Sequence, residues 1–213
     1  HPGVYQGALA ECGALTGIGE IDYVAAYVLA AQAISGAALV GLPNEAAIQQ
    51  VVDRQFLPAM GKRPALTDKG RQFESVVKFL IGGDLPLRPE GFAARFTANL
   101  FLQGDPANPG PAQLAADTRG VQYQIDPGLG LTAADLNATV ARLAPAEGAR
   151  GPAHPVFADL RGTITVPVLS QICIMISSSR PGASWPGAIG ANAWRGSEAA
   201  IWPSQTIFVG RHA

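Results

Sequence analysis

Between residue 20 and about residue 145 the chain sets apolar side chains at helical spacing, segment after segment. Runs that suit β-strands stand only before and after that block. Tyr23, Tyr27, Ala30, Ile34 and Ala38 fall on one helical face. Asn44 is a good N-cap with Glu45 in the first turn. The helix it opens points Ile48, Val51, Val52 and Phe56 inward, and Pro58 helps to end it. Thr67 and Asp68 start another helix, striped by Phe73, Val76, Val77 and Leu80 and stopped by Gly82 and Gly83. Pro89 suits a first helical position ahead of Phe92, Phe96 and Leu100. Gln103 to Pro111 is a Gly/Pro/Asn loop. Thr132 with Asp135 resembles a capping box before Leu136, Val140 and Leu143.

The two strand candidates are Gln6 to Gly13 (QGALAECG) and Thr163 to Leu169 (TITVPVL). The first is short, apolar and closed by glycine, and length alone leaves helix open for it. The second is β-branched and interrupted by Pro167, which marks an edge or an end. Two strands make no complete sheet, so they read as neighbours in a larger one. A helical insertion between late strands commonly covers a site at their carboxyl ends. The expected fold class is therefore α/β, a partial sheet carrying a large α-helical cap. The expected divisions are a core segment over 1–19, a helical cap over 20–145, a core strand over 146–170 and a divergent tail over 171–213.

Composition narrows function by exclusion. Hydrophobic residues are 48% of the 213 and charged residues 15%, too apolar a mixture for disorder. A net charge of -1 leaves no electrostatic footprint for nucleic acid. The most apolar stretch, Val24 to Leu42, is broken by Gln32, Ser35 and Gly36, so no membrane span is expected. Cys12 and Cys173 permit one disulfide but read more simply as buried thiols, and neither has metal-ligand spacing. His1, His154 and His212 are too scattered for a metal cluster.

His1-Pro2-Gly3-Val4-Tyr5-Gln6-Gly7-Ala8-Leu9-Ala10-Glu11-Cys12-Gly13 resembles a segment of bacterial α/β-hydrolases related to secreted serine esterases. Further matching stretches are Arg88-Pro89-Glu90-Gly91-Phe92, Arg95-Phe96, Asn99-Leu100-Phe101-Leu102 and Tyr123 through Leu131 (YQIDPGLGL). Pro155-Val156-Phe157 and Ile164 through Leu169 complete the set. The resemblance covers roughly residues 1 to 169. It implies ester hydrolysis through an acyl-enzyme, no cofactor, and a secreted or periplasmic location. It also implies a small ester or hydrophobic ligand as partner, together with an N-terminal segment of the same protein.

That chemistry needs a serine on a G-x-S-x-G elbow, then an acid, then a histidine. No G-x-S-x-G occurs here; Ile34-Ser35-Gly36 and Arg195-Gly196-Ser197 lack the pattern. The expectation is thus a fragment whose elbow precedes His1 and which is inactive alone. The acid should follow Leu169, yet none stands between Asp159 and Glu198. His212 is the one histidine late enough to match the catalytic position, though a plain terminal residue accounts for it as well. His154 precedes the expected acid and Glu198 lies far beyond it, so both read as ordinary residues. Asp126 reads as a turn former. Asp22-Tyr23 and Phe92, Phe96 and Phe101 read as packing. The alternative function is a non-catalytic helical module holding a hydrophobic ligand or partner in a groove lined by residues 82 to 131. A third reading, a non-functional fragment, predicts apolar surface left uncovered.

After Leu169 the chain changes character, and Trp185, Trp194 and Trp202 all lie in the Gly/Ala-rich stretch that follows. Read one base out of phase, the codons of Met175 and Ile176 contain GAT, an aspartate. Suitable codons for Gln171 to Arg180 then permit Asp-Leu-His-Asn-Asp-Leu-Phe-Val-Pro, which resembles the acid-bearing turn. The expectation is a reading frame that departs near Ser170, with a divergent C-terminus as its alternative. An out-of-frame tail should bury poorly, since nothing in it was selected to face a core.

Overall fold

The computed structural model describes residues 8–11, 18–84, 88–101, 111–151, 168–172 and 205–209. Helix dominates them. The first helix, α1 (Gly19–Ser35), carries Glu20 and Asp22 in its first turn, where carboxylates favour the helix dipole. Its Ala, Val, Leu and Tyr side chains are buried on nearly every face, so α1 runs through the middle of the body. Gly36 ends it in the left-handed conformation, and its N–H bonds the Gln32 carbonyl. The Gln32 side chain then accepts from the Leu39 and Val40 amides. Ala38, expected on the helical face, lies beyond this stop and is exposed.

Asn44 caps α2 (Glu45–Val51) by accepting from the Ala47 amide at 2.9 Å. The helix continues through a π turn, Val52–Phe56, into α3 (Leu57–Met60). Pro58 therefore sits inside the helix rather than at its end. Proline lacks an N–H to give to the helix, and it follows directly on the π turn, where the Leu57 N–H bonds the Val52 carbonyl. Ile48, Val52, Phe56 and Met60 are buried. The chain then makes a short antiparallel pair, β2 (Gly61–Lys62) with β3 (Ala65–Leu66).

Thr67 caps α4 (Asp68–Leu80) by accepting from the Gly70 amide. Phe73, Val76, Val77 and Leu80 are all buried, as the periodicity predicts. Gly82 and Gly83 take positive φ, and the Gly83 N–H closes on the Lys78 carbonyl. Then come α5 (Arg88–Arg95), a 3-10 turn at Ala98–Phe101, α6 (Pro111–Ala115) and α7 (Ala133–Thr139). Thr132 caps α7 through the Asp135 amide.

The centre of the body is aromatic. Phe73 of α4 meets Tyr27 of α1 edge-on at 4.9 Å, and Phe92 and Phe96 meet with tilted rings at 4.9 Å, Phe96 also beside Phe56. The buried Tyr27 hydroxyl donates to the Phe96 carbonyl at 2.8 Å. Arg63 grips the buried Glu74 carboxylate with two nitrogens. Among the described side chains only Val40 and Leu114 are large, apolar and exposed, at 42% and 38%. The uncovered apolar surface that a non-functional fragment predicts is not found on them.

These features correct the expected fold class: this is a helical protein and not an α/β sheet fold. Among the described residues of 18–151 the β2–β3 pair is the whole of the sheet. Elsewhere the backbone pairs β1 (Ala8–Glu11) in parallel with β4 (Val168–Ile172), and β4 antiparallel with β5 (Gln205–Val209). An α/β fold buries the faces of its sheet beneath helices. Here the apolar stripes of the helices are satisfied by one another, around Phe73, and the three strands mainly contact one another. Of the strand expected over Thr163 to Leu169, residues 163–167 lie outside the described residues, and the described strand covers Val168–Ile172, past Ser170. No helix of the described residues is long and apolar enough to cross a membrane.

Candidate functional site

A part-buried polar arrangement lies where the irregular segment 117–131 crosses α4. Helical spacing places Ser75 and Lys78 three residues apart, beside the apolar stripe. The Ser75 hydroxyl donates to one Asp126 carboxylate oxygen at 2.6 Å and accepts from the Asp126 amide at 2.8 Å. The Lys78 ammonium pairs with the other Asp126 oxygen, and an Asp84 carboxylate oxygen stands 4.0 Å from it. The Gln72 amide donates to the Leu129 carbonyl at 2.7 Å.

The same segment is anchored more deeply by Tyr123, which is 1% exposed. Its hydroxyl donates to the Ala26 carbonyl in the middle of α1 at 3.1 Å. Its backbone exchanges two hydrogen bonds with the Asn137 side chain. Arg142 lies over the ring at 4.9 Å and donates to the Val121 carbonyl. Burial pushes the Tyr123 phenol up to about 12, the nearby Arg142 charge opposing it.

A second polar centre sits at the start of α1. Asp22 accepts from Arg150 at 2.8 and 3.0 Å and from the Asp117 amide at 2.7 Å. Burial raises the Asp22 carboxyl above the ordinary range, and these hydrogen bonds and the Arg150 charge pull against it. Asp117, half-buried and hydrogen-bonded by Arg119, is held below its ordinary value.

Serine and lysine at i, i+3 is a spacing that acyl-enzymes use. In this chain the lysine is ion-paired and the serine hydroxyl is committed in both directions to Asp126. The arrangement therefore fixes a loop onto a helix. The S-x-x-K spacing was visible in the sequence, but its partner Asp126, 51 residues away, was not. Asp126 was expected to form a turn; it does precede the Gly128 turn, and it also holds the crossing. Tyr23, Phe92 and Phe96 are core residues as expected. Ser35 is buried at the end of α1, its hydroxyl on the Ala31 carbonyl. His212, His154, Glu198, His1, Cys12, Cys173 and Ser197 lie outside the described residues, as does the Phe101 side chain. Among the described residues no three His, Cys, Asp or Glu side chains gather as a metal site would require. No protein-family model, curated protein or solved structure matches this chain.

Proposed function

We propose that residues 18–151 are the substrate-covering helical part of a serine ester hydrolase, and that the chain does not hydrolyse esters by itself. What supports the reading is a convergence. Two of the stretches that carry the resemblance, 88–96 and 123–131, are separate in sequence, yet both close on α4. Phe92 and Phe96 pack against Phe73, while Asp126 and Leu129 bond Ser75 and Gln72. Such a chain has no G-x-S-x-G elbow with which to form an acyl-enzyme, and the reading assigns the nucleophile to sequence encoded before His1. The alternative module would line its groove with glycines and aromatics around residues 82 to 131. Of those aromatics, Phe92 and Phe96 are 3% and 6% exposed, inside the core.

The gene, read upstream of the His1 codon and through the codons of Ser170, tests this. An in-frame G-x-S-x-G elbow upstream supports it, and the longer product should then take a fluorophosphonate label that the present chain does not. An upstream region with no elbow, or a labelled serine on the present chain, contradicts it.

A further inference from the structure

We propose that Asp22, Asp117 and Arg150 form a latch that closes residues 18–151 into a unit folding independently of the rest of the chain. The latch joins three distant points. Arg150 reaches Asp22 across 128 residues, and the Asp117 amide reaches it across 95. Arg150 also donates to the Ala115 carbonyl, so one guanidinium ties the start of α1, the end of α6 and the last turn of the body. Both side chains of the pair are only about a fifth exposed, at 20% and 21%, where an ion pair is screened less than at an open surface.

Backbone bonds extend the same seam. The Thr118 amide donates to the Leu143 carbonyl at 3.0 Å, and the Ala146 amide to the Leu114 carbonyl at 2.8 Å. The fully buried Thr118 hydroxyl accepts from the Leu143 amide. The two ends of the body, near residues 22 and 150, are thus held side by side, and the core between them is closed. Its buried cluster runs from Tyr23 to Val140 and includes Tyr27, Phe56, Phe73 and Tyr123. A segment with its own core and adjacent ends is what an autonomous unit requires.

The chain carries its own reporters for the test. All three tryptophans stand at 185, 194 and 202, outside the unit, whereas its helices dominate the circular dichroism at 222 nm. The full-length chain is heated while both signals are followed. In the Arg150→Met variant the 222 nm midpoint should fall by about 5–10 °C, with tryptophan fluorescence keeping its wild-type profile. Arg150→Lys, which keeps charge but loses the fork, should fall between. Arg54→Met, on an exposed residue of the π turn, should move it by about 1 °C or less. A fall no larger than that of Arg54→Met would overturn the latch. Fluorescence and dichroism that melt together and shift together would overturn the independence of the unit.

Discussion

Single residues show how polar groups stabilise an apolar body. Tyr123 buries its ring and still satisfies its hydroxyl on the Ala26 carbonyl. Its folded phenol is raised from 10.0 to about 12. A group raised on folding contributes its full stability below its unfolded value and loses it as pH climbs through the folded one. Unfolding free energy should therefore fall between about pH 10 and pH 12, by on the order of 2 kcal/mol from this residue. Tyr27, which burial also raises, adds to the fall. Urea titrations across that range check it: Tyr123→Phe should flatten the decline, and an unchanged slope would remove Tyr123 as its source. Nothing in the sequence marks Tyr123 for this. It stands in a stretch without periodicity, and its partners lie 14 and 97 residues away.

At the scale of elements, local chemistry was the legible part. Asn44, Thr67 and Thr132 cap helices where they were expected, because an N-cap needs only its own side chain and an amide three residues on. The stripe on α4 follows from period alone; Phe92, Phe96 and Leu100 are buried as expected, but α5 ends at Arg95 and Leu100 lies in a 3-10 turn. Pro58 misled because a helix can widen around a proline, a response that depends on its packing on both sides. The approach of α3 to α4 was likewise invisible. A β-carbon added at Gly70 would stand 2.0 Å from the Met60 carbonyl oxygen and 3.1 Å from Leu66 side-chain atoms. Gly70→Ala should then destabilise by about 1–3 kcal/mol in urea. Gly120→Ala, with open space around it, should cost within about 0.5 kcal/mol. Equal midpoints for the two variants would mean that α3 and α4 do not meet so closely.

For the whole molecule, sequence reasoning gave the wrong class for a physical reason. The short apolar run Ala8–Glu11 does pair as a strand with Val168–Ile172. A strand signal, however, does not say where the helices bury their stripes. That is decided by long-range contacts such as Tyr27 on Phe73 and Phe56 on Phe96. The helical block was legible as a block; its sufficiency as a core was not. Of the site expected from the resemblance, the catalytic candidate His212 lies outside the described residues. The claim on which the rest depends is that helices, not a sheet, carry the core. Hydrogen exchange of the intact chain, resolved by peptide, measures where global stability resides. The slowest amides should lie in α1 and α4, from Val24 to Ile34 and from Phe73 to Leu80. Slowest exchange in Ala8–Glu11 and Val168–Ile172 instead, with α1 and α4 exchanging early, would contradict the account.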